Sequence, residues 1–101
     1  MSEAPFALER QDDAGFRVAG RIEVGNAAQA MAAGTALLGA GRPVEVDLKD
    51  LRSADSVTLA VLLEWSARAR RQGGSLLFRN VPQRVRSIAH LSDAEGLLGL
   101  N

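Results

Sequence analysis

The stretch VEVDLKDLRSADSVTLAVLLEW, Val44 to Trp65, changes period in its middle. Val44, Val46 and Leu48 recur at every second residue, with Glu45 and Asp47 between them, which is the alternation of a strand buried on one side. From Ser56 to Gln72, Leu59, Leu62, Leu63 and Ser66 fall on one face of a helix, and Gly73-Gly74 supplies its stop. Between the two lies a polar knot, Ser53-Ala54-Asp55-Ser56. A strand that ends there and a helix that begins there place the knot just past the carboxyl end of a strand. In α/β sheets that rim is where ligands and partners are met. Asp55 or Ser53 is suited to cap the helix, in which case Ser56 is an ordinary first-turn residue. Alternatively, Ser56 and Thr58 present hydroxyls to another molecule.

Upstream, apolar and polar residues alternate from Phe6 to Arg10, and after the turn formers Asp12-Asp13-Ala14-Gly15 the alternation resumes at Phe16, Val18 and Ile22. Two short strands are expected. Asn26 is placed to cap a helix over Ala27 to Leu38, with Ala30, Met31, Leu37 and Leu38 on a broad face, Gly34 weakening it and Gly39 and Gly41 ending it. Downstream, Ser75 to Phe78 reads as a short buried strand. Pro82 is expected as the first residue of a helix through Val85, Ile88, Ala89 and Leu91, followed by a further turn around Ala94 to Leu98. The order β-β-α-β-α-β-α predicts an α/β fold, a parallel or mixed sheet with helices packed on it. Its 101 residues fit one domain, 1–101.

Composition excludes several functions. Twelve basic residues balance twelve acidic ones, so the surplus of positive charge on which nucleic-acid binding depends is missing. With no cysteine there is no disulfide, thiolate metal site or cysteine nucleophile. The run Val57 to Leu63 falls far short of the roughly 20 residues that span a bilayer. Acids near the start, in MSEAPFALERQDD, are foreign to a signal peptide, and a soluble cytoplasmic protein is expected.

Catalytic groups are sparse. His90 is the one histidine, and it falls in the last turn of an expected helix, where a cation suits the dipole. A triad of Ser56, His90 and an acid lacks any G-x-S-x-G elbow, and GAGRP lacks the phosphate-loop pattern. Asp47, Asp50 and Asp55 do not match a calcium-loop spacing, so neither a metal nor a cofactor is expected. The basic run Arg68-Ala69-Arg70-Arg71 reads as a solvated helix end or as a docking patch for an acidic partner.

Four motifs in order carry a family resemblance: Asp47-Leu48 ending a strand, Asp55-Ser56 opening a helix, Gly73-Gly74-Ser75-Leu76 and Asn80-Val81. Together they resemble the STAS domain, and the small chain with LAVLLEWSARARRQGGSLLFRNVPQRVRSIAHL is most similar to its MlaB-like branch, the small STAS subunits of bacterial Mla phospholipid ABC transporters. The resemblance implies a STAS-like mixed sheet and a non-enzymatic protein that binds the cytoplasmic ATPase subunit. It implies support of assembly and activity in maintaining outer-membrane lipid asymmetry, and a location at the inner membrane held through the complex. Contact is then expected through Asp55, Ser56 and Thr58. Trp65 either anchors the partner or covers the edge of the protein's own core. The alternative within the family is an anti-sigma-factor antagonist switched by phosphorylation of Ser56. Many STAS proteins carry glycine where this chain has Thr58, and a β-branched side chain beside Ser56 is expected to hinder a kinase and favour constitutive docking.

Overall fold

A computed structural model describes residues 6–12, 15–38 and 41–99. The expected turn residues Asp13 and Ala14, the stop at Gly39, the side chains of Leu37 and Leu38, and the first five residues lie outside this set. Strands β1 (Ala7–Asp12) and β2 (Gly15–Gly20) pair antiparallel. A 3-10 turn (Val24–Asn26) leads into α1 (Ala27–Leu38), followed by β3 (Pro43–Leu51), α2 (Ser56–Arg71), β4 (Ser75–Arg79), α3 (Gln83–Leu91) and α4 (Glu95–Leu98). The sheet order is β1-β2-β3-β4, with β3 parallel to both neighbours, so the sheet is mixed as expected. Successive parallel strands add in one direction through right-handed crossovers, which puts α1 and α2 on the same face.

The sheet is therefore covered on one side. Phe16, Val46 and Phe78 stand opposite one another across β2, β3 and β4 and are buried with Val18, Leu48 and Leu62. The intervening residues form a charged outer face, where Arg17 joins Glu9 and Asp50, and Arg79 grips both carboxylate oxygens of Glu45 at 2.8 and 3.0 Å. Single exposed pairs contribute little to stability, since water and salt screen them. Their alternating signs nevertheless satisfy one another across four strands. Strand β4 departs from the expectation of a buried strand: Phe78 is buried, but Leu77 is 49 % exposed. β4 is an edge strand of a sheet with helices on one face, so its alternate side chains meet water.

Local chemistry sets the helix limits. Asp55, in extended conformation, caps α2 by accepting the Thr58 N–H at 2.9 Å through Oδ1, so the cap is Asp55 and not Ser53. At the other end Gly73 takes φ 84°, and its N–H reaches Arg70 O while that of Gly74 reaches Ala69 O, closing the helix in a Schellman motif. Asn26 does not cap α1 in the expected way. The backbone tightens into the 3-10 turn three residues earlier, and Asn26 Oδ1 accepts the Glu23 N–H at 2.8 Å while Asn26 Nδ2 donates to Arg21 O. Pro82 precedes α3 rather than opening it. Gly34 is a packing residue: a Cβ there would lie 2.1 Å from Trp65 Nε1, so the indole occupies the space a side chain would need.

Three buried hydrogen bonds join the two strand exits to α2. The Ile22 N–H donates to Ser53 Oγ at 2.9 Å, the Ser53 and Thr58 hydroxyls share a bond of 2.7 Å, and Thr58 Oγ1 donates to Ile22 O at 3.2 Å. With Thr58 donating to the carbonyl, Ser53 must donate to Thr58 and accept from Ile22, and every member of the ring is satisfied.

Replacement of Thr58 by Val keeps the shape but strands the Ser53 hydroxyl and the Ile22 carbonyl. It is expected to lower stability by about 1–3 kcal/mol in thermal unfolding, with Thr58→Ser recovering much of the loss. Gly34→Ala is expected to destabilise by about 1–3 kcal/mol, overcoming its helix-propensity gain, and to cost less in a Trp65→Phe background. Urea unfolding of the four chains of this cycle measures that coupling.

Candidate docking site

The exits of the adjacent parallel strands β2 and β3 lie side by side, and the ring just described fixes them to the first turn of α2. The rim they build carries Asp55 and Ser56, both exposed. A shallow hollow of about 520 Å³ opens beside them, lined by Glu23, Val24, Gly25, Asn26 and Asp55. Accepting the Thr58 N–H holds the Asp55 carboxyl below the usual carboxylate range. It is therefore ionised at neutral pH, and the stability its charge gives is lost as pH falls through that lowered value. The Ser56 hydroxyl stands in the first turn of α2, at the positive end of the helix.

Two residues expected at a recognition surface are elsewhere. Thr58 is 0 % exposed, its hydroxyl turned inward to Ser53 and Ile22. It offers nothing to a partner, and it does not crowd the outward-facing Ser56 as its β-branched shape led one to expect. Trp65 is 1 % exposed, its Nε1–H donating to Ala30 O at 3.0 Å and its ring 6.1 Å from that of Phe6. It belongs to the α1–α2 seam. Covering the protein's own core, one of its two expected roles, is the role it has. Val24, by contrast, belongs to no periodic pattern in the sequence, yet it is 81 % exposed on the rim. The signal was an aliphatic residue between Glu23 and Gly25 in the exit of a strand next to β3.

The groups suited to a catalytic cluster are dispersed. His90 Nδ1 meets Glu95 Oε1 at 2.9 Å, a contact that raises the histidine pKa, in a separate hollow lined by Arg86, Ser87 and Leu91. Ser56 takes no part in that hollow. Asp47 accepts Asn80 Nδ2 and the Lys49 N–H, which lower its pKa, whereas Asp50 holds Arg17 and Asp55 caps α2. Among the described residues no group of three or more His, Cys, Asp or Glu side chains is placed to hold a metal ion. In the basic run, Arg68 and Arg71 both pair with Glu64, which blunts its charge.

Comparison with known proteins gives the rim a context. No curated protein sequence matches the chain. Among solved structures, a chain of the Acinetobacter MlaFEDB complex in its ATP-bound Vtrans2 conformation is 31% identical, with a TM-score of 0.74 over 86% of this chain and 93% of that one. The family model described as the MlaB-type STAS domain matches residues 6–99, which takes in every strand and helix described above. With the mixed sheet, the Asp55-Ser56 helix start and that match in agreement, the chain belongs to the MlaB-type STAS family.

Proposed function

We propose that this chain is the single-domain, non-enzymatic STAS subunit of an Mla-type phospholipid ABC transporter. It docks on the cytoplasmic ATPase subunit through the rim at Asp55 and Ser56, and supports assembly and activity in maintaining outer-membrane lipid asymmetry. One observation carries the reading: its likeness, over nearly its whole length, to a chain found within an ATP-bound MlaFEDB complex. The geometry favours the rim over other surfaces, because the open face of the sheet consumes its charges in internal pairs whereas the rim presents an exposed hydroxyl on a rigid base. No helix among the described residues is long and apolar enough to cross a membrane. On this reading the chain is peripheral to the inner membrane, on its cytoplasmic side, and is held there by the complex.

The anti-sigma-factor antagonist remains a second reading because of one observation: Ser56 is exposed and Thr58 is turned away from it. That removes the steric obstacle to a kinase.

Ser56→Asp separates docking from folding. A carboxylate in the first turn suits the helix dipole, so thermal stability should hold or rise by up to about 1 kcal/mol. Affinity for the ATPase subunit should nevertheless fall at least tenfold, by roughly 1.4 kcal/mol or more, because the added charge has to be desolvated at the contact. Affinity purification of the tagged chain should recover the ATPase subunit and, with Ser56→Asp, markedly less of it. Recovery of a serine kinase in its place would favour the second reading, and an unchanged yield with Ser56→Asp would remove the rim as the contact.

A further inference from the structure

We propose that the docking surface has a second half, the Val24–Asn26 turn, and that the hollow it forms with Asp55 takes a segment of the partner in which an arginine or lysine adjoins an aliphatic side chain. The inference rests on the reading of the rim as the contact with the ATPase subunit.

Val24 is a large apolar side chain 81 % exposed, so water meets almost all of it in the free chain. It is held firmly all the same. Asn26 Oδ1 takes the Glu23 N–H at 2.8 Å, Asn26 N–H reaches Glu23 O at 3.1 Å, and Asn26 Nδ2 donates to Arg21 O at 2.9 Å. The base of the turn is fixed in the same way, since both backbone groups of Ile22 are engaged by Ser53 and Thr58. A side chain displayed on a turn tied at both ends loses little freedom on binding, which is what a contact residue needs.

Charge states what fits. The hollow is lined by two carboxylates, Glu23 and Asp55, together with Val24, Gly25 and Asn26. The Glu23 carboxylate accepts the Asn26 N–H in a capping box and lies 3.7 Å from Arg21 Nε, whose Nη1 donates to Arg52 O at 2.9 Å, so the acid is held in place on the lip of the hollow. An incoming cation is attracted to both acids, and an aliphatic neighbour covers Val24. The same pattern repels an acidic segment. Leu91, the other aliphatic side chain more than four-fifths exposed among the described residues, lies in the separate hollow with Arg86 and His90, which has one acid, Glu95, and lacks this pairing of two acids with an apolar knob.

The test is a titration of the full chain against the purified ATPase subunit of its own transporter, at ~0.15 M and ~0.5 M salt. Val24→Ser should weaken binding about fivefold, Val24→Lys more than tenfold, and Val24→Leu should bind as the wild type does. Glu23→Gln should weaken binding about threefold at the lower salt and converge with the wild type at the higher. Leu91→Lys should change nothing. Because Val24 and Leu91 are exposed, these variants are expected to fold, and their thermal midpoints check that. Wild-type affinity for Val24→Ser and Val24→Lys would overturn the second half of the surface while leaving the rim intact. Equal weakening by Leu91→Lys would also overturn it, by placing the contact on α3. A wild-type chain that fails to bind the ATPase subunit would remove the rim reading and this inference together.

Discussion

The closed hydrogen-bond ring of Ser53, Thr58 and the Ile22 backbone is the constraint on which the shape of the rim depends. It lies where three pieces of chain must meet: the exit of β2, the exit of β3 and the first turn of α2. Burying these groups without partners would cost several kcal/mol, so the polar residues can be inside only if they bond one another. Their arrangement turns that requirement into a specification. Two loops that could otherwise move independently are held at fixed separation, and the Asp55 cap fixes α2 to the same frame.

From that frame follows the division of the rim into an inner and an outer set. Ser53 and Thr58 point inward and hold, whereas Asp55, Ser56 and Val24 face outward. Alternating placement along a helix start is a matter of geometry: residues two apart on a helix point in widely different directions. Ser56 therefore faces water while Thr58 faces the core. The exposed helix start and the buried threonine are parts of one arrangement, and the hydroxyl that threonine brings is structural.

Much of the fold was legible because period carries it. Val44, Val46 and Leu48 announced a one-sided strand, and the leucines after Ser56 a helix with one buried face; both are found where expected. The mixed sheet followed from the order of elements alone. What the period could not state was which side of an aromatic or β-branched residue faces inward when neighbouring elements compete for it. Trp65 is buried because Gly34 of α1 leaves a gap of its shape, a pairing between residues 31 positions apart that no local window contains. Likewise Thr58 is drawn inward by Ile22, 36 residues upstream. Val24 escaped notice for the opposite reason, since a lone valine in a loop has no period and its exposure is decided by the 3-10 turn around it.

On the proposed reading, the two strand exits and the start of α2 form one partner-facing surface. Hydrogen–deuterium exchange of the full chain, alone and with the purified ATPase subunit, reads it directly. Slowed exchange is expected in the turn around Val24 and the residues from Ala54 to Val57 alone, with α3 and α4 unchanged. Protection concentrated on α3 and α4, or an unchanged pattern at the rim in a complex that demonstrably forms, would contradict it.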